Sequence, residues 1–155
     1  MSRSEGPRSG GPADADASGE SRGLQLPSDD LLESLGFFEV VSVDREAGRV
    51  RLAFDALPRF CHSDGRIVQG GFVTSMLDAA MAHAITARIG TGMMVPTLDL
   101  NVSFFRVCNP GPHFSEGSVV HCTRSVAFAE ALLTDASGTP IARATATCKV
   151  APLKG

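Results

Sequence analysis

The sequence predicts an α+β domain in which an antiparallel sheet wraps one long helix. Three observations carry this reading. First, Phe72–Ile89 is small or apolar at almost every position and long enough for about five helical turns. Gly70-Gly71 opens the run and Gly90-Thr91-Gly92 closes it. Second, the segments after it have strand length and strand composition, separated by Pro, Gly, Asn and Asp. Third, one carboxylate, Asp78, stands in the middle of the apolar helix. A buried acid is costly unless something satisfies or uses it, so Asp78 is the leading candidate for chemistry. The competing reading is an acid bonded to backbone or to a neighbouring hydroxyl.

The elements follow in order. Met1 to about Gly23 is rich in Gly, Ser, Pro, Ala, Asp and Arg and has almost no large apolar residue. It cannot bury enough surface to offset ordering entropy, so a disordered tail is expected, with residues 24–155 forming the domain. Ser28-Asp29-Asp30 caps a short helix, Leu31–Leu35, ended by Gly36. Phe37–Asp44 and Arg49–Asp55 read as strands around the turn Arg45-Glu46-Ala47-Gly48. Leu57–Val68 reads as a loop, with Pro58 and Ser63-Asp64-Gly65. The long helix runs from about Gly71 to Ile89. Met94–Val107 then reads as a strand with Thr97, Asp99, Asn101 and Ser103 on one face, by period 2. Asn109-Pro110-Gly111-Pro112 is a turn. His113–Arg124, Ala127–Asp135 and Thr139–Val150 complete the strands, and Asp135-Ala136-Ser137-Gly138 makes a hairpin.

Composition narrows the function classes. The chain has 155 residues, 43% hydrophobic, which suits one domain with a packed core. A net charge of -3 with no Trp and no Tyr gives no footprint of nucleic-acid binding. Cys61, Cys108, Cys122 and Cys148 contain no C-x-x-C pair, which argues against a zinc or thioredoxin-type site; no metal is expected. They read as thiols of a reducing cytoplasm. The N-terminus has no apolar signal region, and the long helix carries Asp78, His83 and Arg88, so no membrane span is expected.

Four segments, in order, resemble one known family. They are Gly65-Arg66-Ile67-Val68-Gln69-Gly70-Gly71 and Met76-Leu77-Asp78-Ala79-Ala80-Met81, then Pro96-Thr97-Leu98-Asp99-Leu100-Asn101-Val102-Ser103-Phe104, then Glu130 through Asp135-Ala136-Ser137-Gly138 to Ile141-Ala142. From about Leu31 to Val150 the chain resembles the hotdog-fold acyl-CoA thioesterases of the phenylacetate-degradation (PaaI-like) type. The resemblance implies a hotdog fold and thioester hydrolysis with no cofactor besides the coenzyme A of the substrate. It also implies a homodimer, often paired into a tetramer. It matches the family's helical acid to Asp78, its oxyanion-binding backbone N–H to Gly70, and its hydroxyl before Asp-x-Asn to Thr97. The family's helix start usually reads His-Gly-Gly; Gln69 stands at the His position, and Ser63 stands where an Asn is common.

The residues support that chemistry on their own terms. Gly70 N–H at a helix N-terminus can bind an oxyanion. Asp78 can activate water or attack the carbonyl to form an anhydride. Thr97 can hold the water, or be strand filler. Gln69 can donate its amide to the carbonyl, or hold the loop. Ser63, Gly71 and His62 are expected to bind substrate, His62 at the mouth of the site, and Arg106 and Arg124, with Lys149, are candidates for the phosphates of coenzyme A. Glu130 is read as structural, His83 as a core or interface residue, and His113 and His121 as surface or sheet residues. Gly70 and Asp78 lie eight residues apart on one helix, ~12 Å, yet both must reach within about 3 Å of one reacting centre. A two-fold dimer, with Gly70 of one subunit facing Asp78 of the other, resolves this. The competing functions are a non-catalytic acyl-CoA-binding protein and an acyl-thioester dehydratase or hydratase.

Overall fold

The computed structural model describes Ser34 and residues 38–153. The tail expected over Met1–Gly23 and, apart from Ser34, the short helix expected over Leu31–Leu35 lie outside the described residues. The strands are β1 (Phe38–Asp44), β2 (Arg49–Ala56), β3 (Cys61–His62), β4 (Ile67–Val68), β5 (Met93–Met94), β6 (Thr97–Phe104), β7 (Gly111–Cys122), β8 (Val126–Asp135), β9 (Pro140–Lys149) and β10 (Ala151–Pro152). One long helix, α1 (Gly70–Ile89), lies between β4 and β5. Six strands form an antiparallel sheet in the order β1-β2-β7-β8-β9-β6. β3 pairs with β4, and β5 with β10, as small separate ribbons.

The sheet covers α1 with one face, and strand alternation explains how. β2 turns Val50, Leu52, Phe54 and Ala56 inward, and β8 turns Ala127, Ala129, Ala131 and Leu133 inward. The alanines of β8 and β9 let the helix sit low on the sheet, where Val73, Met76, Leu77, Ala80, Met81, Ala84 and Ile85 fill the space. The closest approach is at Gly117 of β7. A Cβ there would overlap the carbonyl of Ala80 and fall 2.8 Å from Met81 N. Two backbones touch at that point, and only glycine permits it.

Two buried polar groups sit in this core. Ser115 of β7 is fully buried, and its Oγ has no partner among the described residues. Removing an unpaired buried hydroxyl removes its desolvation cost, so Ser115→Ala is expected to raise unfolding stability by about 1 kcal/mol. Thermal or urea denaturation checks this; a loss of stability would mean that the hydroxyl is satisfied. His83 is the core residue expected. Its Nδ1–H donates to the Ala79 carbonyl at 2.7 Å, its ring stands edge-on to Phe38 at 5.1 Å, and its Nε2 is buried with no partner among the described residues. Burial holds its pKa below the ordinary 6.5, against the opposing pull of the Ala79 bond. A depressed histidine pKa gives stability that is complete above the unfolded value and is lost as pH falls below it, by at most ~1.4 kcal/mol per pH unit. The denaturation midpoint should therefore drop between pH 7 and pH 5, and His83→Leu should flatten that slope.

Three sequence expectations change in detail. The helix begins at Gly70 rather than Gly71. The Leu57–Val68 segment is a 3-10 turn (Pro58–Phe60) followed by the β3–β4 hairpin, whose tip holds Ser63, Asp64 and Gly65 at φ 54°, 57° and 75°. The strand expected over Met94–Val107 is shorter, because Met93–Met94 pairs with β10 and β6 begins after Pro96. The face assignment on β6 is also corrected. Thr97 pairs with Cys148, but Asp99 pairs with Thr147, so Leu98 is a bulge residue. Thr97 shares the helix-facing side with Cys148, while Asp99, Asn101 and Ser103 share the opposite face with Thr147, Thr145 and Arg143. A strict period of 2 placed all four together; one extra residue separates them.

Candidate active site

Asp78 lies on the flank of α1 that faces β6. Thr97 Oγ1–H donates to Asp78 Oδ1 at 2.9 Å. The bulge at Leu98 makes this possible by turning Thr97 toward the helix. Asp78 is half-buried, not buried as its apolar neighbours suggested. The reason is topological: β6 is the last strand of the sheet, and no described residue forms a strand beyond it to cover the helix. Thr97 has one hydroxyl hydrogen, and Asp78 takes it. Toward a water, Thr97 therefore offers only lone pairs.

The other candidates gather at the N-terminus of α1. Four N–H groups of a helix start lack intrahelical acceptors. Here Phe72 and Val73 N–H point to the Gln69 carbonyl, at 2.9 and 3.4 Å, and Gly71 N–H donates to Gln69 Oε1 at 2.6 Å. Gln69 is thus the N-cap through its Oε1, and its amide N–H₂ has no acceptor among the described residues. Gly70 N–H has no acceptor among the described residues. Of the two glycines, Gly70 alone presents an open donor, while Gly71 serves the cap; a Cβ on Gly71 would press on Gln69 Oε1 at 2.7 Å. The ring of Phe104 lies against Gly70, 3.4 Å from where a Cβ would stand.

His62 and Ser63 meet on the β3–β4 hairpin, His62 Nδ1 lying 2.9 Å from Ser63 Oγ. Arg66 Nε donates to the Ser63 carbonyl at 3.1 Å. Arg106 follows Phe104 by two residues, on the Gly70 side, and donates to the Pro140 carbonyl at 3.2 Å. Arg124 lies in the turn between β7 and β8, which borders Lys149, and so falls on the Thr97 side. The sequence-chosen residues therefore form two groups within one chain. Gln69, Gly70, Gly71 and Arg106 are at one end of α1; Asp78, Thr97, Arg124 and Lys149 lie further along. Eight helical residues, ~12 Å, separate Gly70 from Asp78, and the single chain does not bring them together.

Several features carried no sequence signal. Phe104 against Gly70, Gly117 beneath Ala80 and Cys148 behind Thr97 are all pairings between distant segments. His113, expected at the surface or in the sheet, is a buried sheet residue. Its Nδ1–H donates to the Gly111 carbonyl at 2.8 Å, so Nε2 accepts from the Cys108 thiol at 3.3 Å. Burial, with a smaller contribution from Cys61, pushes the Cys108 pKa up to about 11. This contact ties down the chain after β6, where the Cys108 carbonyl accepts from Val68 N–H at 2.8 Å. It is not an activated nucleophile. Among the described residues no group of three or more His, Cys, Asp or Glu side chains is set to hold a metal. No described helix is long and apolar enough to cross a membrane.

Comparison with known proteins agrees with this geometry. The thioesterase superfamily model matches residues 65–142. The structure of a phenylacetic acid degradation-related protein from Ralstonia eutropha is 32% identical, with a TM-score of 0.72, over 80% of this chain and 92% of that one. The phenylacetic acid degradation protein PaaI of Thermus thermophilus is 21% identical, with a TM-score of 0.66, over 78% of this chain and 98% of that one. A Streptococcus mutans protein bound to acetyl-CoA is 18% identical, with a TM-score of 0.67, over 76% of this chain and 91% of that one. These last two are likenesses of fold. No curated protein matches the chain significantly. One long helix on a six-stranded antiparallel sheet is the hotdog arrangement, and with the family match over the helix and the following strands the chain belongs to the thioesterase superfamily.

Proposed function

We propose that this protein is a cytoplasmic acyl-CoA thioesterase whose active sites are each shared by two subunits. The observation that carries the proposal is the division of labour along α1: an open Gly70 N–H at its start and a Thr97-held carboxylate at Asp78 two turns later. In a two-fold dimer, Gly70 of one subunit lies opposite Asp78 of its partner. The edge strand β6 supports such pairing. Among the described residues no strand lies beside its outer backbone groups, and Leu98 and Phe104 are 62% and 53% exposed. Dimers then pair into tetramers, as the family resemblance implies.

In the reaction, Gly70 N–H and the Gln69 amide N–H₂ receive the charge that develops on the thioester oxygen. Asp78 Oδ2, the oxygen Thr97 leaves free, takes a proton from a water that attacks the carbonyl carbon. The C–S bond breaks, and the proton passes to the departing thiolate of coenzyme A. Direct attack by Asp78 with an anhydride intermediate uses the same geometry. Ser63, His62 and Gly71 border the approach. Arg106 and Arg124, with Lys149, suit the phosphates of coenzyme A. The substrate class is small or medium acyl, or aryl, thioesters. No cofactor is required beyond the coenzyme A that the substrate carries.

Subunit complementation tests the shared site. Gly70→Pro removes the donor while keeping a residue that suits the first helical position. Asp78→Asn removes the base. Each variant alone should release almost no free thiol from an acyl-CoA panel. Unfolded together and refolded as a mixture, they should regain about a quarter of wild-type activity, because half of the dimers are mixed and each mixed dimer has one intact site. No regain in a mixture that forms mixed dimers would place both residues in one subunit's site or outside the chemistry.

A further inference from the structure

Cys148 has no part in the reaction above, yet it is the residue behind Thr97. It faces Thr97 across the β9–β6 ladder and is 1% exposed, on the helix-facing side. Its Sγ lies 3.8 Å from Thr97 Oγ1, which in turn lies 2.9 Å from Asp78 Oδ1. Asp78 accepts, so Thr97 donates to it. The lone pairs of Thr97 then accept from the Cys148 S–H. Three elements, β9, β6 and α1, form one directed relay.

We propose that Cys148 is a positioning residue that holds the Thr97 hydroxyl in the orientation donating to Asp78, and so fixes which carboxylate oxygen stays free. The proposal rests on Asp78 acting on the thioester, as in the reading above. A threonine hydroxyl has one hydrogen and can turn it elsewhere. Thr97 is exposed on an edge strand, so water competes for that hydrogen. The buried thiol beneath it removes the competing orientation by claiming the oxygen as acceptor. Burial raises the Cys148 pKa, against the pull of the Thr97 bond and with a further push from Asp78, so the S–H keeps its proton. Linked hydrogen bonds polarise one another, so the thiol also strengthens the bond to Asp78. A single S–H···O bond is weak, so the expected effect is modest. The groups facing Asp78 are Thr97 from β6 and, behind it, Cys148 from β9; among the described residues no ion pair reaches Asp78.

The test compares wild type, Cys148→Ala and Cys148→Ser in steady-state thiol release and in a ¹³C-carboxyl titration of Asp78. Cys148→Ala should lower kcat about fivefold and raise the Asp78 titration midpoint by about half a pH unit, with KM within about twofold. Cys148→Ser, which restores a donor, should return both close to wild type. If Cys148→Ala does not fold, Cys148→Val takes its place as an apolar residue without a donor. An unmoved Asp78 midpoint overturns the proposal, as does equal impairment by alanine and serine. The titration is read whether or not a tested thioester is hydrolysed. A shifted midpoint with no turnover in any protein would keep the relay and remove the thioesterase reading.

Discussion

Asp78→Asn is expected to lower thioester hydrolysis by about a thousandfold or more, the scale on which a positioned general base or nucleophile acts. The substitution is close to isosteric. Asparagine keeps an Oδ1 that can accept from Thr97 Oγ1, so the 2.9 Å bond between α1 and β6 can survive and the fold should be unchanged. What is lost is the basic oxygen alone. The measurement is free-thiol release from a panel of acyl-CoAs, with circular dichroism and denaturation as controls. Retention of more than about a tenth of wild-type activity would remove Asp78 from the chemistry. Incorporation of ¹⁸O from labelled water into Asp78 during a single turnover would identify the anhydride route; its absence, with label in the product acid, fits direct attack by water.

Gly117→Ala is expected to destabilise the protein by about 3 kcal/mol or more, enough to unfold many domains at physiological temperature. The added methyl meets backbone, not a side chain that could turn away: it overlaps the Ala80 carbonyl and approaches Met81 N. Relief requires lifting α1 off β7, which loosens the packing of Met76, Leu77, Met81 and Ala84 together. Gly92→Ala is the control. Nothing lies within 4 Å of the Cβ position there, and the expected change is within about 0.5 kcal/mol. Urea denaturation of the two variants separates the cases. A stable Gly117→Ala protein would mean that helix and sheet are not held at the distance seen.

The long helix was legible because its signals are local. Glycines bound it, and of the 18 residues Phe72–Ile89 only Asp78 and Arg88 are acidic or basic apart from His83. The later strands were legible for a similar reason, because turn residues leave little freedom for the segments between, although Gly111 and Pro112, read as turn, open β7, which ends at Cys122 and not Arg124. The β3–β4 hairpin was read as loop because two-residue strands have no period to detect. Its turn uses Ser63 and Asp64 at positive φ, where glycine or asparagine is the usual signal.

The candidate site divides along the same line. Residue type and position along the helix pointed to Gly70 and Asp78, and helical rise alone separated them by ~12 Å. The sequence by itself determined one helix, the strands around it, and the acid and donor that the helix carries. The rest depends on contacts between segments far apart in the chain, which no local pattern encodes. Asp99 and Asn101 looked equivalent to Thr97 until the pairing with β9 showed one residue too many at Leu98. That Gln69 caps the helix through its Oε1 on Gly71 N–H could not be read from its place before two glycines. Asp78 looked buried from its neighbours in sequence, but its exposure is set by where the sheet ends. Only the tertiary structure decided these matters, because a bulge, a cap and a sheet edge arise from which backbones meet.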